Sequence, residues 1–378
     1  MSIECTKDDT AMSASRLIRV KKQVERNRTK PIQRWRFAIQ AAFAVLCVWI
    51  GVEFHFFVKY IETAGLSGFA HRPPGVDGFL PISSLMSLYY WGVSTEIHSF
   101  HPAGLFILSA IILVSLVFGK SFCSWLCPAG FISEMLGDLG ERVFGRRLSV
   151  PRWLDYPLRS LKYLLLAFFA YSIFFLMNEF ALKRFLDSPY NLVADVKMYY
   201  FFADISRAAL IVLGTLILLS VIVRNFWCRY LCPYGALLGI ASLLSPFKIK
   251  RNSISCIDCA KCAIACPSRI KVDKVKTVIS DECTACLNCV DECPVTQTLE
   301  LKSVITKRAI APRRVAISIA AIFMLVTGLG MVTDHWQNDV PVQTYIDRRD
   351  EITSYGHPTS TQDVSRLKEF DPNSNPGK

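Results

Sequence analysis

Histidine is scarce in this chain, 6 among 378 residues, and charged residues make up only 20% of it. The first shortage limits haem: an axial pair on facing apolar segments could come only from His55 and His101, and both fall at the same end of their segments. The second, beside a hydrophobic content of 52% and a mean hydropathy of +0.32, excludes an ordinary soluble protein of this length. Acidic residues are in deficit, 31 against 43 basic, for a net charge of +12. That surplus is not gathered into the stripe a nucleic-acid interface needs, so nucleic acid is not an expected partner. No small-residue cleavage site follows the first apolar run, and the basic stretch before it is long, so the N-terminus reads as other than a secretory signal peptide.

Cysteine is plentiful, with 14 residues. Eight lie between Cys256 and Pro294, where C-x-x-C-x-x-C-x-x-x-C-P occurs twice: Cys256, Cys259, Cys262, Cys266 and Pro267, then Cys283, Cys286, Cys289, Cys293 and Pro294. This spacing holds two [4Fe–4S] clusters, the fourth cysteine of each run reaching across to the other cluster. The expected ligands are Cys256, Cys259, Cys262 and Cys293 for cluster one, and Cys283, Cys286, Cys289 and Cys266 for cluster two. Zinc also takes thiolates, but it has no use for a third cysteine two residues on, nor for a proline after each of two copies. Cysteines this dense belong to a reducing compartment rather than to disulfides.

Apolar runs of membrane-spanning character cover about Phe37–Val58, Pro102–Phe118, Leu158–Met177, Ala208–Val223 and Val315–Val332. A further apolar stretch, Leu85 to Trp91, is too short to span and reads as a re-entrant or interfacial helix. The expected fold is an α-helical integral membrane protein of about five transmembrane helices with a small α+β ferredoxin-like domain. Residues 1–36 form a basic arm, 37–247 a four-span membrane domain, 248–305 the ferredoxin-type domain, 306–333 the fifth span and 334–378 a polar, mostly irregular tail. Of the 43 Lys and Arg, 32 fall on the side shared by the arm and the cysteine motifs. The positive-inside rule therefore places the N-terminus and the clusters in the cytoplasm and the tail in the periplasm of a bacterial inner membrane.

The membrane domain contains a repeat. Cys123 and Cys228 are 105 residues apart, as are Cys127 and Cys232, Pro128 and Pro233, and Gly130 and Gly235. Each C-x-x-x-C-P follows an apolar run, so two similar halves would deliver four thiols to the inner surface of the membrane. On a helix, cysteines four apart share a face. The four could form a Cys₄ metal or cluster site, a redox-active dithiol set, or buried small residues. Cys5 and Cys47 fit no pattern.

With these four motifs in order, the chain resembles the NapH/NosR-type membrane polyferredoxins, and in particular YccM-like members with a fifth span. The resemblance covers roughly residues 37–300 and rests on the twelve motif cysteines, with weaker support from the loop GFLPISSLMSLYYW. It implies electron transfer between the quinone pool and a partner reductase, which would make the chain an electron-transfer component of quinol dehydrogenase type embedded in membrane lipid. Some relatives bind flavin covalently at a threonine in an S/D-G-A-T context, which is absent here. Copper-handling relatives such as CcoG carry a larger outer β-domain, so a metal- or thiol-reducing assembly factor is the alternative. A quinol site needs a proton acceptor near the bilayer edge. The candidates are Glu53, His55, His98 and His101, with Glu96 and Asp195 nearby. Trp35, Tyr89, Tyr90, Trp91, Tyr199, Tyr200 and Trp336 read as an interfacial aromatic belt.

Overall fold

The computed structural model describes Asn27 and residues 32–356. Cys5, most of the basic arm and the end of the tail lie outside the described residues. Helix α1 runs Ile32–Glu62, α2 Pro81–Ser94, α3 Pro102–Phe118, α4 Pro128–Phe144 and α5 Arg152–Phe174. Then come α6 Glu179–Leu186, α7 Ala194–Ala203, α8 Arg207–Ile222 and α9 Pro233–Leu243. Strands β1 (Phe247–Arg251) and β2 (Leu299–Ser303) bracket the ferredoxin stretch, and α10 (Pro312–Val332) and α11 (Val342–Asp347) complete the order.

Among the described residues, α1 and α10 are long and apolar enough to cross a membrane. The third and fourth expected spans fall mostly on α5 and α8, running three residues past the end of α5 and one past the end of α8. Each passes the same length-and-composition test only when joined to a neighbour across a sharp bend, α5 with α6 at 104° and α7 with α8 at 80°. Helix α3, the second expected span, has 17 residues. At 1.5 Å per residue that is about 26 Å, slightly under a hydrocarbon core of about 30 Å. It packs along α10, where Gly330 lets the Phe106 ring approach: a Cβ there would sit 2.8 Å from it. The outward faces of α1, α8 and α10 carry exposed Val48, Trp49, Ile211, Leu218 and Leu325, an apolar surface that suits lipid.

One core cluster joins the ends of these helices to the ferredoxin domain. Val114, Phe118, Phe122, Trp125 and Leu238 pack with Ile249, Val278, Leu287 and Leu301. Strands β1 and β2 pair antiparallel, Phe247 opposite Ser303 and Ile249 opposite Leu301. Burial alternates along β2, as expected for a ribbon with one buried face.

Both ends of the described chain are packed. Residues 32–36, the end of the basic arm, form the first turn and a half of α1, with Arg36 buried against Glu134 at 2.6 Å. The segment after Thr333 is mostly irregular up to residue 356, apart from α11 and the short turn Arg349–Glu351. It folds back so that Val340, Tyr345 and Ile352 share a core with Phe57, Ile61, Leu192 and Val196. Tyr90, assigned to the interfacial belt, is buried beside Met86 and Leu186.

Candidate functional site

The two C-x-x-x-C-P motifs do not lie on continuous helices. Proline disfavours the α region for the residue before it. Cys127 and Cys232 accordingly take extended backbone, at φ −68°, ψ 120° and φ −73°, ψ 106°. Pro128 and Pro233 then open α4 and α9 at the N1 position, where a missing N–H costs nothing. Each cysteine is the N-cap of the new helix. Its sulfur accepts from the N–H three residues on, Gly130 at 3.4 Å and Gly235 at 3.2 Å. The first cysteines, Cys123 and Cys228, sit in a helical turn (Phe122–Trp125) and in a single π turn (Trp227–Leu231). The expectation of two thiols on one helix face is thus replaced by a turn, a break and a new helix start. The N–H groups at the start of α4 face the Cys127 sulfur and offset only part of what burial costs its thiolate.

The repeat brings all four cysteines to one cavity of ≈ 90 Å³, whose wall also includes Lys120, Tyr234 and Cys286. Burial pushes the thiols of Cys123, Cys127 and Cys228 up to about 12. Lys120 is almost fully enclosed. Burial works against its charge, but Cys123, Glu282, Cys228 and Cys232 together hold its ammonium above the ordinary lysine value. A buried cation beside three of the four sulfurs suits an anionic centre.

The motifs are fastened to the ferredoxin loops. Ser124 Oγ donates to the Thr284 carbonyl at 2.6 Å and Trp125 Nε1 to the Ala285 carbonyl at 3.1 Å. Arg229, between Cys228 and Cys232, donates to the Ser268 carbonyl at 3.1 Å and is itself held by Asp155 at 2.9 Å. Lys162, fully buried in α5, pairs with Glu282, and Tyr163 donates to Asp281.

The ferredoxin stretch has its own two-fold likeness. Asp258 and Ala260 flank Cys259 with positive φ, and Ala285 and Leu287 flank Cys286 in the same way. Left-handed backbone is uncommon for these residue types, and here it wraps each loop around its cysteines. Cys256, Cys259, Cys262 and Cys293 line one small cavity. Cys266 lies in electrostatic range of Cys286, and Cys289 of Cys286, Cys283 and Cys266. Among the described residues no three His, Cys, Asp or Glu side chains stand close enough to hold a single metal ion. Soft donors in fours suit iron–sulfur.

The outer candidates separate into different environments. His101 and Asp195 are joined through Arg72, whose Nε donates to Asp195 at 2.7 Å and whose Nη2 donates to Asp77. His101 Nε2 donates to the Asn191 carbonyl at 2.6 Å, and its Nδ1 lies 2.9 Å from Asp77 Oδ1. All four charged or titratable side chains are buried. His98 contacts Asp187 at 2.9 Å, His55 contacts the Tyr199 hydroxyl at 2.5 Å, Glu53 accepts from Trp49 Nε1 at 2.8 Å, and Glu96 accepts from Tyr90 at 3.3 Å. Sequence reasoning missed Arg72, Asp77, Lys120, Lys162 and Glu282. Only Lys120 carried a signal: it sits three residues before Cys123, where the second repeat has Asn225.

Comparison with known proteins agrees with this geometry. Residues 100–147 and again 208–252 match a family described as a 4Fe-4S binding domain, and residues 248–294 match a 4Fe-4S dicluster domain. The chain is 48% identical over 316 residues to the putative electron transport protein YccM of Escherichia coli (strain K12), covering 82% of this chain and 88% of that protein. It is 28% identical over 210 residues to protein NirI of Paracoccus denitrificans, covering 55% of this chain and 29% of NirI. It is 26% identical over 205 residues to the ferredoxin-type protein NapH of Haemophilus influenzae, covering 51% and 67%. No solved structure matches. With apolar helices, paired cysteine repeats and a relative aligned over most of its length, the chain belongs to the NapH/NosR/YccM-type polyferredoxins, membrane-associated iron–sulfur proteins of electron transport.

Proposed function

We propose that this protein carries electrons between the quinone pool and a partner redox enzyme, and that it does so through three iron–sulfur centres. Cys256, Cys259, Cys262 and Cys293 would hold one [4Fe–4S] cluster, and Cys283, Cys286, Cys289 and Cys266 a second. Cys123, Cys127, Cys228 and Cys232 would hold a further centre where the membrane helices end. The observation that carries the reading is the cavity shared by those last four cysteines and Cys286. It supports one continuous redox path rather than a ferredoxin merely tethered to a membrane. When bound, such clusters take up and release single electrons. The chain's own contribution is to hold the sulfurs, to set a buried lysine beside them and to exclude water.

The orientation that fits the charge distribution puts the N-terminus and all three centres in the cytoplasm and the tail in the periplasm. The quinone would then meet the spans, with protons accepted near the outer ends. His55 beside Tyr199 is half-buried, and of the outer candidates it is the imidazole open enough to meet a ring in the bilayer. His101 and Asp195 are already committed to Arg72 and Asp77.

Iron and sulfide quantification on the full-length protein tests the centres. About twelve irons per chain are expected, falling to about eight when Cys123, Cys127, Cys228 and Cys232 are changed to Ser. Unchanged iron in that variant would leave a dithiol set and remove the third centre. A quinol analogue added to membranes should reduce the clusters, or the quinone should oxidise them. Neither happening would remove the quinone from the scheme.

A further inference from the structure

We infer that the three centres act in a fixed series, with the Cys123–Cys127–Cys228–Cys232 centre exchanging electrons only with cluster two, and cluster one meeting the external redox protein. The inference rests on the reading that the four membrane-side cysteines hold a cluster, and it adds the order.

The hydrogen bonds from the membrane-side motifs to the ferredoxin loops fall beside cluster two. The first motif reaches Thr284 and Ala285, both between Cys283 and Cys286. The second reaches Ser268, two residues after Cys266. The shared cavity wall includes Cys286, Thr284 and Pro267, and none of Cys256, Cys259, Cys262 or Cys293. The two repeats therefore both grip the cluster-two site, one through its Cys283–Cys286 loop and the other through the chain beside Cys266. Lys162 with Glu282, the residue before Cys283, makes a third hold on the same site.

Cluster one is arranged differently. Cys259 is exposed, as are Ile254 and Ile257 beside it. Its cavity is walled by β1, β2 and their connections, through Arg251, Val295 and Leu299, rather than by the membrane helices. Electron exchange falls steeply with distance, so a soluble protein has its best approach at the Cys256–Cys262 loop. At each hand-over one centre loses one electron and its neighbour gains it, with no bond made or broken. Quinol would become quinone at the membrane end, giving up two electrons one at a time and releasing two protons at the outer ends of the spans, and two molecules of an oxidised one-electron redox protein would remove the electrons at Cys259, or the sequence runs in reverse. Buried Lys120 lines the membrane-side cavity, whereas Arg251 and Asp273 line that of cluster one, so the two ends of the series differ in their electrostatic surroundings as well as in access.

The test uses electron paramagnetic resonance on the full-length, dithionite-reduced protein in detergent. Spin coupling of the membrane-side centre should survive in C256S/C259S and vanish in C283S/C286S. Coupling that persists in C283S/C286S, or is lost in C256S/C259S, overturns the order. A wild-type experiment does not depend on those variants folding. Limited ferricyanide oxidation followed by thiol alkylation and mass spectrometry should label Cys256, Cys259, Cys262 and Cys293 first. Earlier labelling of Cys283, Cys286 and Cys289 overturns the order. If C123S/C127S/C228S/C232S retains full iron and an unaltered spectrum, the three-centre reading itself fails and the series with it.

Discussion

Replacing Gly130 with alanine places a Cβ 2.2 Å from the Cys123 carbonyl oxygen, whereas the same change at Gly235 leaves 3.3 Å to the Cys228 carbonyl oxygen. The two glycines occupy the same place in the two repeats, so the pair is an internally controlled experiment. Real Cβ contacts are essentially never under 3.0 Å. Gly130→Ala must therefore open about 0.8 Å between two backbone segments that carry Cys123 and Cys127, and backbone yields less readily than a side chain. Overpacking of this kind costs about 1–3 kcal/mol. Alanine in a helix recovers about 0.5–1 kcal/mol, which leaves a net loss of about 0–2.5 kcal/mol, centred near about 1.25 kcal/mol or a factor of about 8 in the folded ratio. At Gly235 the nearest movable neighbour is the Lys120 ammonium at 3.5 Å, so the cost is small and roughly offset by helix propensity. Thermal unfolding in detergent followed by circular dichroism, with iron content measured in parallel, should show G130A less stable and short of iron and G235A close to wild type. Equal midpoints and equal iron in the two variants would refute the reasoning, and so would greater damage from G235A.

Removing the carboxylate of Glu282 leaves the fully buried Lys162 ammonium unpaired. Glu282→Gln is expected to cost about 3–5 kcal/mol, with partial recovery in E282Q/K162M, read from resistance to limited proteolysis and from yield of folded protein. In the iron-free protein, Cys127 with its thiol at about 12 against an ordinary 9.0 should be alkylated about 1,000-fold more slowly at pH 8 than a free thiol, since only the thiolate reacts. Its rate should climb about tenfold per pH unit, and a flat profile would contradict the burial. Burial alone would raise Glu134, but the Arg36 hydrogen bond and charge hold its carboxyl below the ordinary 4.5. A depressed carboxylate contributes stability above pH 4.5 that is lost as pH falls through its native value. The thermal midpoint should drop below pH 4.5 in the wild type and less steeply in Glu134→Gln.

The cysteine pattern was legible because cluster ligation depends on short, local spacing. Two copies of C-x-x-C-x-x-C-x-x-x-C-P and the 105-residue repeat of C-x-x-x-C-P need no knowledge of the fold. The break at Cys127 and Cys232 was also readable in principle, since proline acts on its immediate neighbour, yet helical spacing of the two cysteines suggested one face. Span assignment was less secure for a different reason. Hydropathy reports how apolar a stretch is, but not the bends of 104° and 80° that divide α5 from α6 and α7 from α8. Tyr90 and the tail around Tyr345 illustrate the same limit. An aromatic residue reads alike whether it faces lipid, water or a core.

By itself, then, the sequence determined the chemistry: twelve ordered cysteines, apolar helices to carry them and a charge bias along the chain. Tertiary structure decided which of these meet. It alone brings Ser124 to Thr284 and Arg229 to Ser268, across separations of 160 and 39 residues. It alone surrounds Lys120 with sulfurs, and ties Arg72 to Asp77, His101 and Asp195. The physical reason is that ion pairs and hydrogen bonds between distant segments leave no periodicity in the chain. Their partners are selected by packing, because a buried charge persists only where the fold supplies its counter-charge.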